Sequence, residues 1–416
     1  MPIFFKSTYR RSLYFVRFTV VFIFITTTTI LRAQLGPACI NLSANRIYFS
    51  KDSSSMMNFY KKIDELKSGK RKRVNIVHFG GSHIQAGLLT EVLMDSFQTY
   101  NKYTGGGTFI FPFAMLKTNS PHFFKSFTTG NWKRCRAALT KEMCEGIGMA
   151  GLAGITNDSA STFGFKLLAN KHHQTFNSVK VYHNFNPSFE LALENKTLPF
   201  ERKDHKKNGY SEFTFEGYID SLSFVLLKKD TIHKDFMLRG FSIENDNPGF
   251  YYAALGANGA RSNTFLGCTE MVNELKSIPP DLVILSLGVN DSQGNGFSKQ
   301  GFIAKYDSMI TEVRKASPKC AILITTTTDN YIKRKTANKR SIIAQEAAFD
   351  LMKKHKIAVY DMFAVMGGYK SIYKWHKVGF ANKDRVHLVS KGYVLIANLM
   401  MDAIKKSYLQ SSSKED

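Results

Sequence analysis

The sequence predicts an α/β protein with a parallel sheet covered by helices on both faces and interrupted by an inserted antiparallel β-sandwich. Two observations predict this fold. Buried-type strands alternate with helix-length segments on both sides of the middle of the chain, which is typical of parallel sheets. The middle, from about residue 105 to about residue 249, instead contains short alternating runs separated by turn clusters.

The first unit is a strand, a tight turn and a helix. The largely apolar run from Val74 to Phe79 predicts the strand, and it leads directly into Gly80-Gly81-Ser82. From Ile84 to Tyr100 apolar residues recur at helical spacing, which predicts one helix. Ser82 is therefore expected at the turn.

The same alternation returns after Pro279. The predicted elements are, in order, strand 282–287, helix 302–315, strand 321–325, helix 342–355, strand 357–363 and helix 390–408. Residues 40–104 and 250–410 are therefore assigned to one α/β domain, and the polar tail 411–416 is predicted to be disordered.

The segment 105–249 is predicted to be the inserted β-sandwich. Its alternating runs are 178–183, 189–193, 213–215 and 222–227. A stretch of this length without a core of its own would be unusual in a compact protein. The 416-residue chain is 44% hydrophobic, enough to fill the cores of two folded units.

The first 33 residues predict a signal peptide. Basic residues precede an apolar run from Phe18 to Leu31, and Arg32-Ala33-Gln34 follows as a cleavage region. An uncleaved anchor is the alternative, but threonines dilute a run that is already short for a membrane span. The sequence thus favours export to the periplasm, cell envelope or surroundings of a bacterium, with no stable span after removal of the signal.

The chain is strongly basic, with a formal net charge of +24. Loss of the five basic residues of the predicted signal would leave about +19. Lysine and arginine are spread along the chain apart from the cluster Lys70 to Arg73, which argues against nucleic-acid binding. Solvated surface lysines are the simple interpretation, and attraction to an anionic cell envelope is the functional one.

The five cysteines fit no zinc signature, so neither a metal nor an organic cofactor is predicted. Cys135 and Cys144 are close enough in sequence to form a small disulfide loop in an oxidising compartment. Two buried free thiols are an equal alternative.

Four segments carry residues suited to catalysis. Ser82, at a turn between a buried strand and a helix, suits a nucleophile but also an ordinary helix cap. Asp384 and His387, three residues apart, could supply a base and its orienting carboxylate. Asn290, after the strand 282–287, and a glycine of the run Gly256 to Arg261 could donate hydrogen bonds to an oxyanion, although both runs also suit turns.

In this order the four segments resemble the blocks of SGNH/GDSL hydrolases. These are Gly80-Gly81-Ser82-His83, Asn258-Gly259-Ala260, Gly288-Val289-Asn290-Asp291, and Asp384-Arg385-Val386-His387 followed by Gly392-Tyr393. The resemblance implies a flavodoxin-like three-layer α/β/α domain and a serine esterase. It implies Ser82 as nucleophile, His387 as base and Asp384 as its partner. Oxyanion donors would be the N–H groups of Ser82 and Gly259 and the side chain of Asn290.

The stretch from Ser82 to Gly87 and the insert further resemble a branch that includes bacterial peptidoglycan O-acetylesterases, whose insert is similar to a carbohydrate-binding module of jelly-roll type. This implies hydrolysis of O-acetyl esters on a glycan such as peptidoglycan through an acyl-serine intermediate. Trp132, Tyr182 and Tyr210 of the insert are candidates for sugar stacking, with packing in the core as the alternative.

One residue departs from the family pattern, which usually has Gly-Asp-Ser where this chain has Gly80-Gly81-Ser82. The missing carboxylate is neither nucleophile nor base, but it normally braces the turn. Two alternatives to the esterase therefore stay open: an O-acetyltransferase that uses the same triad, and a catalytically impaired glycan-binding protein of the cell envelope.

Overall fold

The structure is a computed structural model, and it describes residues 37–50, 54–101, 105–168 and 175–412. The predicted signal peptide, residues 1–33, lies outside the described residues, as do residues 413–416 of the predicted tail. The first two residues of that tail, Ser411 and Ser412, instead end the last helix.

The strands follow one another along the chain as β1 (Ile47–Phe49), β2 (Arg73–Gly80), β3 (Gly105–Ile110), β4 (Phe124–Thr128), β5 (Lys133–Arg136), β6 (Leu152–Thr156), β7 (Ala160–Leu167), β8 (Phe176–His183), β9 (Phe189–Leu193), β10 (Glu201–His205), β11 (Tyr210–Ile219), β12 (Ser221–Lys228), β13 (Phe236–Asn245), β14 (Gly249–Gly256), β15 (Leu282–Ser286), β16 (Ala321–Thr325), β17 (Tyr331–Ile332), β18 (Thr336–Ala337) and β19 (Ala358–Tyr360).

The helices are α1 (Ser54–Lys67), α2 (Ser82–Gln85), α3 (Leu88–Asn101), α4 (Met271–Ser277), α5 (Val289–Gln293), α6 (Lys299–Ala316), α7 (Arg340–His355), α8 (Met362–Val365), α9 (Ser371–Lys377) and α10 (Ser390–Ser412). Within the described part of the chain, none of them is long and apolar enough to cross a membrane.

A central sheet with parallel strands organises the fold, as the alternation of strands and helices predicts. Its order is β1-β19-β16-β15-β2-β14-β3, and all pairs except the antiparallel β1–β19 are parallel. Side chains alternate between its faces: Ile76 packs with residues of α1, α3 and α10, whereas Val77 packs with residues of α6 and α7. Apolar cores thus cover both faces, which explains why these strands are almost entirely apolar.

The middle of the chain forms two antiparallel layers. In one, β13, β8, β11 and β10 continue the central sheet, because β13 pairs with β3. The other is a separate four-stranded sheet, β4-β7-β12-β9. Phenylalanines fill the space between them; Phe224 of β12 stacks on Phe241 of β13 with ring centroids 5.8 Å apart. Strand pairing therefore joins the two predicted units into one sheet.

Two predicted elements differ from the structure. The single helix expected from Ile84 to Tyr100 is broken into α2 and α3 at Gly87, whose φ of +81° is left-handed and whose Cβ, if present, would lie 2.8 Å from Pro121. The strand expected over 357–363 ends at Tyr360, because Asp361 caps α8 by accepting from the Ala364 N–H.

Of the two alternatives for Cys135 and Cys144, the structure contains the disulfide. It links β5 to the loop that follows it. The other three cysteines, Cys39, Cys268 and Cys320, are free thiols.

Candidate active site

Three neighbouring parallel strands end at the same level of the sheet. Gly80 at the end of β2 lies opposite Gly256 of β14 and opposite Ser286 of β15. The chain that leaves each strand carries one of the predicted site blocks, so these blocks meet at the carboxyl edge of the sheet. This edge is where open α/β sheets bind their ligands.

Ser82 is the first residue of α2, while Gly81 occupies the cap position without a side-chain hydrogen bond. The Ser82 hydroxyl instead lies 2.8 Å from Nε2 of His387. The alternative of an ordinary helix cap therefore does not apply to this serine. As the first residue of the helix, Ser82 also has a backbone N–H without a partner inside the helix.

Asp384 orients the imidazole of His387. Its Oδ2 lies 2.7 Å from Nδ1 of His387, and its Oδ1 accepts the backbone N–H groups of Val386 and His387 at 2.9 and 3.0 Å. Partial burial opposes ionisation of Asp384, but the hydrogen bonds from the ring and backbone of His387 outweigh it and lower the pKa of the carboxyl. The ionised Asp384 accepts the Nδ1 proton, so Nε2 is free to accept from Ser82.

The turn between Asp384 and His387 is held from outside by Arg385. This residue has a left-handed φ of +55°, which is unfavourable for a non-glycine residue. Its carbonyl accepts the N–H of Tyr331 at 2.9 Å, and its guanidinium lies over the rings of Tyr331 and Tyr373, at 5.1 and 5.0 Å from their centroids. These contacts stabilise the backbone conformation that presents His387.

Asn290 and Gly259 approach Ser82 from the two flanking strands, and all three line one cleft. Nδ2 of Asn290 donates to the carbonyl of Ala260 at 2.9 Å, which fixes the amide and leaves its second N–H for another acceptor. Gly259 has a φ of +85° and sits in the cleft wall. Gly256, the other glycine of this run, has a packing role instead: a Cβ there would lie 2.1 Å from the Gln85 backbone nitrogen.

Gln85 is a site residue to which sequence reasoning gave no role. It is buried in α2, and its Oε1 accepts the N–H of Asn258 at 2.7 Å. Its Nε2 donates to the carbonyl of Asn119 at 3.0 Å, and Nδ2 of Asn258 donates to Oδ1 of Asn119 at 2.6 Å. These bonds tie the loop of Gly259 both to the helix of Ser82 and to the segment after β3. No local pattern in the sequence could have found it, because α2 is short and mostly polar.

His83 and Tyr393 form a second pair without a predicted role. The hydroxyl of Tyr393 and Nδ1 of His83 lie 2.8 Å apart and share a hydrogen bond. The His83 ring lies 5.1 Å from that of His387. Burial, reinforced by the neighbouring His387, lowers the pKa of His83 to about 3, so this imidazole stays neutral beside the triad.

Gly81 lies against the predicted oxyanion residues. A Cβ at this position would be 3.4 Å from Nδ2 of Asn290 and 3.6 Å from the carbonyl of Ala260, both ordinary contacts. The glycine does not disturb the triad, whose two hydrogen bonds are 2.8 and 2.7 Å long.

The cleft that contains Ser82, Gly259, Asn290 and His387 has a volume of about 620 Å³, within the range of small-molecule sites. Among the described residues, no group of three or more histidine, cysteine or acidic side chains is arranged to hold a metal ion.

The predicted sugar-stacking role of the insert's aromatic residues is wrong for two of them. Tyr182 is fully buried and bonds to Ser277 at 2.6 Å, and Tyr210 is buried against His205. Trp132 packs edge-on against Phe163. The alternative, packing in the core, is therefore correct for both tyrosines, because their rings lie in the interior of the antiparallel layers.

Residues 235–395 match the family of GDSL-like lipases and acylhydrolases, which are ester hydrolases. The matched segment contains Gly259, Asn290, Asp384 and His387, while Ser82 precedes the insert. This match supports the resemblance to SGNH/GDSL hydrolases that the sequence blocks predict, over the part of the chain that the family model covers.

Among solved structures, a peptidoglycan O-acetylesterase has a TM-score of 0.68 and 19% identity, over 88% of this chain and 99% of the other. This similarity shows a common fold. A GDSL-like lipase from Bacteroides thetaiotaomicron (22% identity, TM-score 0.29) and an acylhydrolase from Bacteroides fragilis (23%, 0.30) each cover 38% of this chain and 76% of their own. No curated protein matches the chain in sequence.

Proposed function

We propose that this protein is an exported serine esterase that removes O-acyl groups, above all O-acetyl groups, from a glycan of the cell envelope. The observation that carries the proposal is the continuous hydrogen-bond chain from Ser82 through His387 to Asp384 at the floor of an open cleft. The likeness in fold to a peptidoglycan O-acetylesterase supports the glycan substrate, and the basic chain supports an anionic envelope. The insert is proposed to be a jelly-roll-like domain over residues 105–249.

The first half of the reaction acylates the serine. Nε2 of His387 takes the proton of Ser82 while Oγ attacks the ester carbonyl carbon. The carbonyl oxygen becomes an oxyanion that accepts hydrogen bonds from the N–H groups of Ser82 and Gly259 and from the Asn290 amide. His387 then gives its proton to the sugar oxygen, the ester C–O bond breaks, and the acyl group stays on Ser82.

The second half releases the acid. His387 takes a proton from water, the resulting hydroxide attacks the acyl carbon, and the same donors hold the new oxyanion. The bond to Oγ breaks, and His387 returns the proton to Ser82. Asp384, with its lowered pKa, stays ionised and stabilises the imidazolium formed in both halves.

The deciding experiment measures acetate release from 4-nitrophenyl acetate and from O-acetylated peptidoglycan by the wild type and by Ser82→Ala. The variant is expected to lose at least about 10⁴-fold in kcat, as for removal of other serine nucleophiles. Ser308→Ala, which removes an exposed hydroxyl on α6, is the matched control and should keep full activity. Hydrolysis by Ser82→Ala at the wild-type rate would refute the proposal.

A further inference from the structure

A second cavity, of about 200 Å³, lies beside the catalytic cleft on the side of the oxyanion residues. Helix α5 separates the two, because Gln293 at its end lines the catalytic cleft and Gly294, the next residue, lines the second cavity. The rest of its wall comes from Arg261, Asp291, the partly exposed loop 294–298, and Gly301, Phe302 and Lys305 of α6.

The cavity is continuous in sequence with both oxyanion segments. Arg261 follows Gly259 by two residues, a span of at most about 7 Å. Asp291 directly follows Asn290, and it also lines the cavity. The second cavity therefore lies next to the segments that carry the predicted oxyanion donors.

Two cations face this space. The exposed guanidinium of Arg261 forms no hydrogen bond or ion pair with any residue that the structure describes, and it lies close to Gly294. Lys305 is partly exposed, and its Nζ forms a long ion pair with Oδ1 of Asp291 at 4.0 Å, beyond hydrogen-bond distance. Both side chains are thus available to an anion from solvent.

The single acidic group of the cavity wall is already engaged. Asp291 is buried, and its carboxylate accepts the backbone N–H of Ser262 at 3.0 Å and the Ser262 hydroxyl at 2.6 Å. One carboxylate facing two cations leaves the cavity with a net positive charge. The loop is fixed on its far side, where Arg340 donates to the Gly294 carbonyl at 2.7 Å.

We propose that this cavity is an anion subsite, in which Arg261 and Lys305 bind a carboxylate carried by the glycan whose ester lies at Ser82. The planar guanidinium of Arg261 suits two parallel hydrogen bonds to a carboxylate, and Lys305 adds a point charge. This inference rests on the proposed esterase function and deepens it: the substrate is an acidic glycan, and its charge positions the ester in the cleft.

The test uses two O-acetylated oligosaccharides that are identical except that one carries a carboxylate and the other its methyl amide. The wild type should have the lower KM for the carboxylate form, and Arg261→Gln and Lys305→Gln should each raise that KM by about 10-fold, the effect of losing one charge-assisted contact. KM for the amide form should change by no more than about 2-fold. Added salt should weaken the preference, since the cations are exposed.

Lys319→Gln is the matched control. It removes the same charge at an exposed position just before β16, at the opposite edge of the sheet from the catalytic cleft, and should leave both KM values unchanged. An equal KM for the two substrates in the wild type, or an equal effect of Arg261→Gln on both, would overturn the subsite.

A binding measurement separates this proposal from the esterase proposal. Calorimetric titration of Ser82→Ala with the same two oligosaccharides reports binding without turnover. Tighter binding of the carboxylate form, lost on adding Arg261→Gln, supports the subsite even if the wild type hydrolyses neither compound. Hydrolysis of both compounds with equal affinities would instead retain the esterase and refute the subsite.

Discussion

Replacement of Gln85 by leucine tests whether the loop of Gly259 is held in place by the buried amide. The change keeps the approximate volume of the side chain in α2 but removes the acceptor for the Asn258 N–H at 2.7 Å and the donor to the Asn119 carbonyl at 3.0 Å. Asn258 directly precedes Gly259, so the lost bonds lie one residue from the proposed oxyanion donor.

The magnitude follows from these two bonds. Each partner left unsatisfied in a buried place costs about 1–3 kcal/mol. Because Asn258 is only partly buried and Asn119 is exposed, a loss of about 2 kcal/mol in the free energy of unfolding is expected. Displacement of the Gly259 N–H by about 1 Å weakens a contact made to the oxyanion, and kcat should fall roughly 10- to 100-fold. KM should stay nearly constant, because the substrate's ground state does not depend on this donor.

The assay is kcat and KM for 4-nitrophenyl acetate together with urea denaturation. Gln98→Leu is the matched control: Gln98 donates to the carbonyls of Gly105 and Phe250 at 2.8 and 3.0 Å, at the far ends of β3 and β14. It should lose similar stability but keep its kcat. Gln85→Glu, which retains an acceptor for the Asn258 N–H, should recover part of kcat. A Gln85→Leu protein that is destabilised yet keeps the wild-type kcat would refute the reasoning.

Three further predictions follow from the structure. Asp384→Asn should lower kcat by about 10³- to 10⁴-fold, less than Ser82→Ala, since Asp384 orients but transfers no proton; steady-state kinetics of the two variants will decide their order. Joint replacement of Cys135 and Cys144 by alanine opens a loop with a sequence separation of 9 and should cost about 2.5 kcal/mol in urea denaturation, whereas an unchanged midpoint would argue against the disulfide in solution. Burial lowers the pKa of His78 to about 3, below its value of about 6.5 in the unfolded chain. Unfolding therefore takes up a proton between these pH values, so the free energy of unfolding falls as the pH drops below about 6.5. His78→Gln should therefore lose less stability than the wild type between pH 6.5 and 5, by about 1.6 kcal/mol in total, and parallel pH dependences would contradict this.

The central sheet could be predicted because most residues of its parallel strands are buried. Leu282–Ser286 and Ala321–Thr325 are continuous apolar runs with helical segments between them, a pattern that only a covered parallel sheet explains. The short strand β1 could not be predicted, since its three residues are assigned by pairing with β19 rather than by a pattern of their own. Strand β10 is equally hidden: it is an edge strand whose residues are mostly exposed and charged.

The part of the site whose residues lie in short sequence blocks could be predicted. Ser82, Asp384 and His387 lie together as the resemblance implies, with the roles of these residues still to be tested by mutation. Gln85 could not be assigned, because its partners Asn119 and Asn258 are distant in sequence and only the folded chain brings them to it. Likewise, nothing local in the sequence shows which of Gly256 and Gly259 has a packing role. The fold shows it, because α2 approaches β14 so closely at Gly256 that no side chain fits there.

The order of strands in the sheet determines how much of the chain must be synthesised before the proposed active site can form. Strand β2, which ends at Gly80, is made early, yet both its neighbours, β14 and β15, begin only at Gly249 and Leu282. Until the ribosome has made these segments, β2 has no partner and Ser82 has no cleft, and His387 arrives later still. Such long-range pairing makes folding slow. The proposed active site therefore needs the chain as far as His387, and under the proposed export of an unfolded chain it forms only after the chain has crossed the membrane.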